Sequence, residues 1–174
     1  MAIATLRGHA GTVTALAAHP ALPVLFSGSI DGAVRVWRLD AAGAELCNLA
    51  ERAGGRWAVC AHALAASSRG GLLAVGCSGE VSVWRWDERS ESAAWGLPDV
   101  FGRFYPISIS WSAGDAYLSV TMHTGTIYVL EKPYDRPARE LACDGAAFTS
   151  VGHPERGLLA SGGADAVLVW DLAT

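Results

Sequence analysis

The stretch Ser27-Gly28-Ser29-Ile30-Asp31-Gly32-Ala33-Val34-Arg35-Val36-Trp37 decides the fold of this chain. Turn residues around Asp31 are followed by a short run of β-branched residues that ends in a tryptophan. Such a run is typical of a β-strand that leaves a tight turn. The stretch therefore predicts a hairpin whose second strand is Val34 to Trp37.

The same pattern occurs four times along the 174 residues. Each copy is anchored on its last large residue, and the anchors lie 47, 46 and 40 residues apart, at Trp37, Trp84, Leu130 and Trp170. A Val or an Ile occupies the first and the third position before the anchor in every copy. Agreement of this kind at a regular period indicates a repeat architecture.

Each copy also carries two earlier apolar runs separated by turn residues. The first run of each copy lies at 13–16, 57–60, 107–111 and 147–151, and the second at 24–26, 72–75, 117–120 and 158–160. A unit of about 40–45 residues with about four strands is the signature of a propeller blade. A single blade cannot bury both of its faces, so the blades are expected to stack.

We therefore predict an all-β propeller of four four-stranded blades in one domain, residues 1–174. The repeats lie approximately at 4–40, 44–87, 98–132 and 139–174. Two segments are interpreted as connections: Trp86 to Arg103 as a long loop between strands, and Lys132 to Arg139 as a turn between blades.

The first copy contains Gly8-His9, His19-Pro20, Ser27-Gly28-Ser29, Asp31 and Trp37-Arg38. With these motifs it resembles the WD-repeat family. The fourth copy keeps His153-Pro154, Ser161-Gly162, Asp165 and Trp170-Asp171, but it has Ala142-Cys143 where Gly-His is expected. The second copy keeps Trp84 and the third keeps only the strand pattern, so the resemblance is strongest at the two ends of the chain.

In that family a His, a Ser or Thr, an Asp and a Trp form a buried hydrogen-bond network within a blade. The resemblance assigns these roles to His9, Ser27, Asp31 and Trp37, and it makes Trp84, Trp170 and Asp171 blade-closing residues. A His, a Ser and an Asp also compose a hydrolase triad, but their places in the repeat favour the structural role.

Composition and charge exclude several other classes of protein. The net charge is −4 and Lys132 is the single lysine. The sequence therefore lacks the basic stripe that is typical of nucleic-acid-binding proteins. No stretch predicts a membrane span or a signal peptide, which implies an intracellular, cytoplasmic or nuclear protein. The four cysteines are widely spaced, which indicates core residues and neither a metal site nor a disulfide framework, and no motif for a cofactor is present.

These observations predict a non-catalytic scaffold of WD-repeat type that binds a protein or peptide partner. One alternative is a structural subunit of a larger assembly, since residues 6–23, 27–37 and 55–59 resemble the late blades of coatomer β′-type subunits of vesicle coats. A propeller enzyme is a further alternative, but it would need an acidic, metal-binding or nucleophile-base set at matching blade positions, and no such set recurs.

The repeats of the WD family are offset from the blades, so Ala2 to Arg7 would be an outer strand of the last blade. The last copy reaches Thr174 just after its third strand. Three arrangements remain open: a fragment of a longer propeller, pairing with another chain or another copy, and a closed ring of four blades.

Overall fold

The computed structural model describes residues 4–40, 44–49, 60–88, 90–96, 105–143 and 147–174. These residues form fifteen β-strands. In chain order the strands are β1 Val13–Ala18, β2 Val24–Ser29, β3 Val34–Arg38, β4 Glu45–Asn48, β5 Ala61–Ala66, β6 Leu72–Cys77, β7 Glu80–Arg85, β8 Ser90–Gly96, β9 Pro106–Ser112, β10 Tyr117–Met122, β11 Thr126–Glu131, β12 Pro137–Ala142, β13 Thr149–Gly152, β14 Leu158–Gly162 and β15 Val167–Asp171. Among the described residues, no helix is long and apolar enough to cross a membrane.

The strands make four antiparallel sheets, each built from strands that follow one another in the chain. Three sheets have four strands, β1–β4, β5–β8 and β9–β12, and the fourth has β13–β15. The innermost strands pack in sequence, β1 on β5, β5 on β9 and β9 on β13. The prediction of an all-β propeller of four blades is therefore confirmed, and the blades form an open arc.

Strand register separates each blade into two faces. Trp37 pairs with Leu25 across β2 and β3, whereas Val36 pairs with Phe26. Directly paired residues lie on the same side of a sheet. We call the side of Leu25 and Trp37 the left face and the side of Val36 the right face, and the right face of each blade is directed at the next blade.

Three apolar clusters lie between consecutive blades and make up the core. Val34 and Val36 belong to the same cluster as Leu73 and Val75 of the second blade. The second cluster joins Val81 and Val83 to Leu118 and Val120, and the third joins Ile127 and Val129 to Leu159. The repeated β-branched positions of the first three copies are thus the residues that each blade buries against its successor.

The first strand of the second blade lies later than predicted. The predicted run was 57–60, but β5 begins at Ala61, and residues 57–59 are outside the described residues. The alanine-rich strand has little intrinsic β-propensity and is fixed by pairing with β6 and by burial. Its signal was present in the sequence, because Ala-Leu-Ala-Ala occurs at 15–18 in β1 and again at 63–66.

Both segments interpreted as connections contain residues of an outer strand. β8 lies within the predicted loop from Trp86 to Arg103, of which residues 89 and 97–103 are outside the described residues. The segment from Lys132 to Arg139 leads into β12, which begins at Pro137, so it joins two strands of one blade and not two blades. A proline is tolerated there because the strand is at the edge of its sheet.

The described part of the amino terminus does not add a fourth strand to the last sheet. Residues 4–12 form no strand, and residues 1–3 are outside the described residues. Gly8 lies beside the ion pair of Arg35 and Glu45, which places this segment along the first blade. The predicted pairing of Ala2 to Arg7 with the last blade is therefore not made by residues 4–7.

Cys77 illustrates the effect of the core on a cysteine. It is buried in the first cluster, and burial, together with Glu80 and Cys60, raises the pKa of its thiol to about 12. Cys47 and Cys143 are partly buried against the first and third clusters. Since a thiol with a raised pKa is a poor nucleophile, Cys77 is a packing residue.

Replacing Leu118 with alanine should destabilise the protein by about 3 kcal/mol, because it opens a cavity in the second cluster. Leu118 has no exposed surface. The free energy of unfolding measured by urea denaturation checks this value. The control Leu22→Ala, at an exposed turn position, should change it by less than about 0.5 kcal/mol. Equal effects of the two substitutions would contradict the assignment of the core.

Candidate functional site

The structure brings His9, Ser27, Asp31 and Trp37 together in the first blade. His9 Nε2 lies 2.7 Å from Ser27 Oγ, and His9 Nδ1 lies 3.2 Å from Asp31 Oδ2. The indole N–H of Trp37 donates to Ser27 Oγ at 2.7 Å. The four side chains thus connect the segment before β1, the strand β2, the turn after it and the strand β3.

Asp31 is the acceptor at one end of this network. The backbone N–H groups of Ala10 and Ala33 donate to its carboxylate at 2.7 and 2.8 Å. Burial opposes its ionisation, but the hydrogen bonds from Ala33, Ala10, Ser29 and His9 outweigh burial and lower its pKa from 3.8 to about 2. The carboxylate is therefore ionised at neutral pH and serves to fix the turn against the segment before β1.

The proton positions follow from this charge. A carboxylate can only accept, so the proton of neutral His9 is on Nδ1 and Nε2 accepts from the hydroxyl of Ser27. This is the arrangement of a hydrolase triad, with Ser27 in the position of the nucleophile. However, Ser27 is only 4% exposed and its oxygen already accepts the indole N–H of Trp37. The geometry therefore holds the blade together and leaves no approach for a substrate.

The fourth blade keeps half of the network. Trp170 donates its indole N–H to Ser161 Oγ at 2.9 Å, as Trp37 does to Ser27. Cys143 takes the place of His9, and its sulfur lies 3.8 Å from Ser161 Oγ. Asp171 caps the end of its strand by accepting from the backbone N–H of Ala173 at 2.9 Å.

The two middle blades replace the network in different ways. Val75 occupies the position of Ser27 in the second blade, and Trp84 donates to Ser82 at 3.0 Å. In the third blade the serine and tryptophan positions are both apolar, as Val120 and Leu130, which are fully buried. Removing both members of a buried polar pair costs far less than removing one, which explains the joint change in the third blade. In the second blade Ser82 supplies the acceptor that Trp84 would otherwise lack.

A second cluster lies where the inner strands begin and where the turns join the second and third strands of each blade. We call this end of the blades the upper face. Tyr105 stacks on His62, with ring centroids 4.6 Å apart, and on His123, with centroids 4.4 Å apart. The backbone N–H of His123 donates to the carbonyl of Tyr105 at 3.3 Å. We call these three partly exposed rings the aromatic stack.

The stack joins two blades, since His62 belongs to the second blade and the other two residues to the third. His62 Nε2 lies 2.9 Å from Ser78 Oγ and its Nδ1 lies 3.6 Å from Cys60 Sγ. Burial lowers the pKa of His62 below 6.5, so its ring is neutral at pH 7. Through His62 the stack borders an open cleft of about 240 Å³ that includes Thr14 and Ser108.

Sequence reasoning did not find the aromatic stack, because the histidines are far apart in the chain. An alignment of the four repeats gives the one available signal for the two histidines. It places position 62 at the start of an inner strand and position 123 in a turn, and both lie at the upper face of their blades. Within the described residues, no group of three or more His, Cys, Asp or Glu side chains could hold a metal ion. The chemistry offered here is stacking and hydrogen bonding.

Comparisons with known proteins identify the repeat. Residues 2–38 match the family model described as "WD domain, G-beta repeat". The chain is similar to the computationally designed Ika4 protein, with 21% identity, a TM-score of 0.73, and coverage of 99% of this chain and 98% of Ika4. It is also similar to the WD40 repeats of RRP9, with 19% identity and a TM-score of 0.78 over 97% of this chain.

The chain spans 50% of that RRP9 chain. No curated protein sequence matches it. The first blade thus contains a WD repeat, and the chain as a whole has the fold of WD-repeat propellers.

Replacing Asp31 with asparagine should destabilise the protein by about 1–2 kcal/mol at pH 7, because the donors around it lose a charged acceptor. Its folded pKa, about 2, is below the unfolded value of 3.8. The stabilisation is therefore complete above about pH 4 and is lost as the pH falls toward 2. Urea denaturation at pH 6 and pH 3 should show a smaller loss on acidification for Asp31→Asn than for the unchanged protein. The control is Asp135→Asn at an exposed position, and equal pH dependence in Asp31→Asn and the unchanged protein would contradict the role of Asp31.

Ser27 should not react with a fluorophosphonate probe in the folded protein, because its hydroxyl is buried beneath His9 and Trp37. Peptide mass spectrometry after labelling gives the readout, and a serine hydrolase in the same tube shows that the reagent is active. An adduct on Ser27 would mean that the His9 network is accessible and reactive.

Proposed function

We propose that this WD-repeat chain is a non-catalytic interaction module that binds a protein or peptide segment at its upper face, around the aromatic stack. WD repeats generally mediate protein–protein interaction. The finer proposal concerns the surface used, and it is supported by the arrangement of three rings across the boundary of two blades.

The aromatic stack carries this proposal. Tyr105 is held between two histidine rings, so its orientation is fixed before any partner binds. Tyrosine is enriched at the centres of protein interfaces, and a preorganised side chain loses little conformational entropy on binding. The neighbouring cleft gives room for an extended segment beside the rings.

The electrostatics favour a polypeptide partner over a nucleic acid. The chain carries thirteen basic and seventeen acidic residues, so its net charge is negative. Phosphate backbones are bound by clustered Lys and Arg side chains. Within the stack, His62 carries no positive charge at neutral pH, because burial lowers its pKa.

A role as a structural subunit of a larger assembly is a second candidate. The observation that favours it is the open arc, whose terminal blades expose apolar residues such as Leu16 and Val169. The resemblance of the first half to coat subunits remains a prediction. A catalytic role has no comparable support, because the one Ser-His-Asp arrangement among the described residues is closed by Trp37.

We also propose an intracellular location, in the cytoplasm or the nucleus. Cys60, Cys77 and Cys143 are free thiols in this structure. Free thiols persist in the reducing compartments of the cell, whereas secreted proteins usually pair them.

Peptides selected from a random phage-displayed library against the whole chain should lose affinity at least tenfold for Tyr105→Ala. This factor corresponds to about 1.4 kcal/mol, the cost of losing one aromatic contact in an interface. Dissociation constants measured by fluorescence polarisation check it, and circular dichroism verifies that the variant is folded.

The control is Leu39→Ala, which removes an exposed residue that follows β3 at the opposite end of the first blade. Selected peptides should bind this variant unchanged. Peptides that bind Tyr105→Ala as well as the unchanged protein would show that the upper face is not the binding surface.

A further inference from the structure

The contacts between the first three blades follow a size rule at one position. This position is in the second strand of each blade, which we call the middle strand, and it pairs with the first β-branched residue of the third strand. It is Gly28 in the first blade and Gly76 in the second. A methyl group on Gly28 would meet Ala61 at 2.7 Å and Leu64 Cδ1 at 3.4 Å. On Gly76 it would meet Ile109 Cδ1 at 2.7 Å. Each glycine therefore admits a Leu or Ile from the inner strand of the next blade.

The third contact obeys the same rule with different residues. Thr121 takes the glycine position, and the facing residue of the inner strand is Ser150 in place of Leu or Ile. Thr121 Oγ1 donates to Ser150 Oγ at 2.7 Å. A larger residue in the middle strand is thus matched by a smaller, polar residue on the next blade.

The right face of the last blade has the features of this contact, and no blade formed by the described residues lies against it. Gly162 takes the glycine position, but a methyl group there would meet only Thr149 of its own sheet. Val167 and Val169 are 72% and 70% exposed, whereas the equivalent residues of the first three blades are at most 1% exposed. Val169 borders an apolar hollow of about 370 Å³ that also includes Val151.

The left face of the first blade carries the matching residue. Leu16 pairs with Ser27 as Leu64 pairs with Val75 and Ile109 with Val120, so the three occupy one position of the repeat. Leu64 and Ile109 are 8% and 7% exposed, but Leu16 is 62% exposed. The chain therefore presents both halves of a contact that it makes within itself elsewhere, one half at each end.

We infer that two copies of this chain associate head to tail, with Leu16 of each copy against Gly162 and Val167 of the other. The two ends of one copy do not meet, since the inner strands pack from β1 to β13 without a close-packed return to β1 among the described residues. The arc also superposes on half of a longer WD40 chain, with a TM-score of 0.78.

A two-fold axis makes this association closed. The two contacts are then identical, each joining the right face of one copy to the left face of the other, and no apolar end remains exposed. A contact between two right faces would bring valines together but would leave Leu16 in water on both copies. The pairing of Gly162 with a leucine therefore favours the head-to-tail arrangement.

The first test is the mass of the whole chain in solution. Size-exclusion chromatography with light scattering should give twice the 18.2 kDa of one chain at micromolar concentration. A mass of 18.2 kDa at every concentration would overturn the inference. A mass that rises above twofold with concentration would also overturn it, because it would show open chains and not a closed pair.

Charge-swap variants then test which faces meet. Leu16→Lys alone and Val167→Glu alone should each give the single-chain mass, because each places a charge in both contacts. The variant with both substitutions should recover the double mass, since Lys and Glu then face each other across each contact. An equimolar mixture of the two single variants should recover it as well.

Two controls make this result decisive. Leu22→Lys changes an exposed leucine in a turn away from both end faces and should leave the double mass unchanged. Thermal melts monitored by circular dichroism show that each variant is folded. Folded single variants that keep the double mass, or a double variant that stays single, would overturn the head-to-tail contact.

Discussion

The structure depends on the burial of two β-branched residues in the third strand of each of the first three blades against the next blade. Val34 and Val36, Val81 and Val83, and Ile127 and Val129 are each buried in a cluster that their own blade cannot complete. At about 25 cal/mol per Å² of buried apolar surface, a buried valine contributes roughly 1.5–3 kcal/mol. Stability therefore resides between the blades more than within them, which makes the fold nearly one-dimensional. An arc of this kind always has two unfinished ends.

This constraint explains why the polar network varies so much between blades. His9, Ser27, Asp31 and Trp37 join the elements of the first blade, whereas the third blade has Val120 and Leu130 at the serine and tryptophan positions. A buried network contributes little more than an apolar pair of similar shape, provided that no member is left without a partner. The stacking of blades is kept in every copy because no local substitution can replace it. The network is one of several ways to close a blade.

The distinction between packing across blades and contacts within a blade decides what could be predicted from the sequence. The β-branched positions repeat because each must fit a neighbouring blade, so the fold class and the four blades could be predicted from Val34 and its equivalents. The outer strand β8 could not, because its pairing with β7 and not its own propensity sets it. The alanine-rich β5 was placed too early because pairing with β6 and burial override its low β-propensity, although the repeated Ala-Leu-Ala-Ala marked its position. The aromatic stack could not be predicted either. It depends on the inner strands and turns of two blades meeting at one end, and no spacing between positions 62, 105 and 123 encodes that meeting.

The ends of the arc show what the repeat implies once stacking is the main source of stability. A right face with a glycine selects a blade whose inner strand carries Leu or Ile, and one with a threonine selects a blade that carries a serine at that position. Gly162 and Leu16 obey the first of these rules although no blade of the same copy joins them. An exposed apolar sheet face with an unpaired edge strand is an aggregation hazard unless it is covered. Because each end of this chain has the shape that the other end requires, the residues that build the arc also define what can cover it.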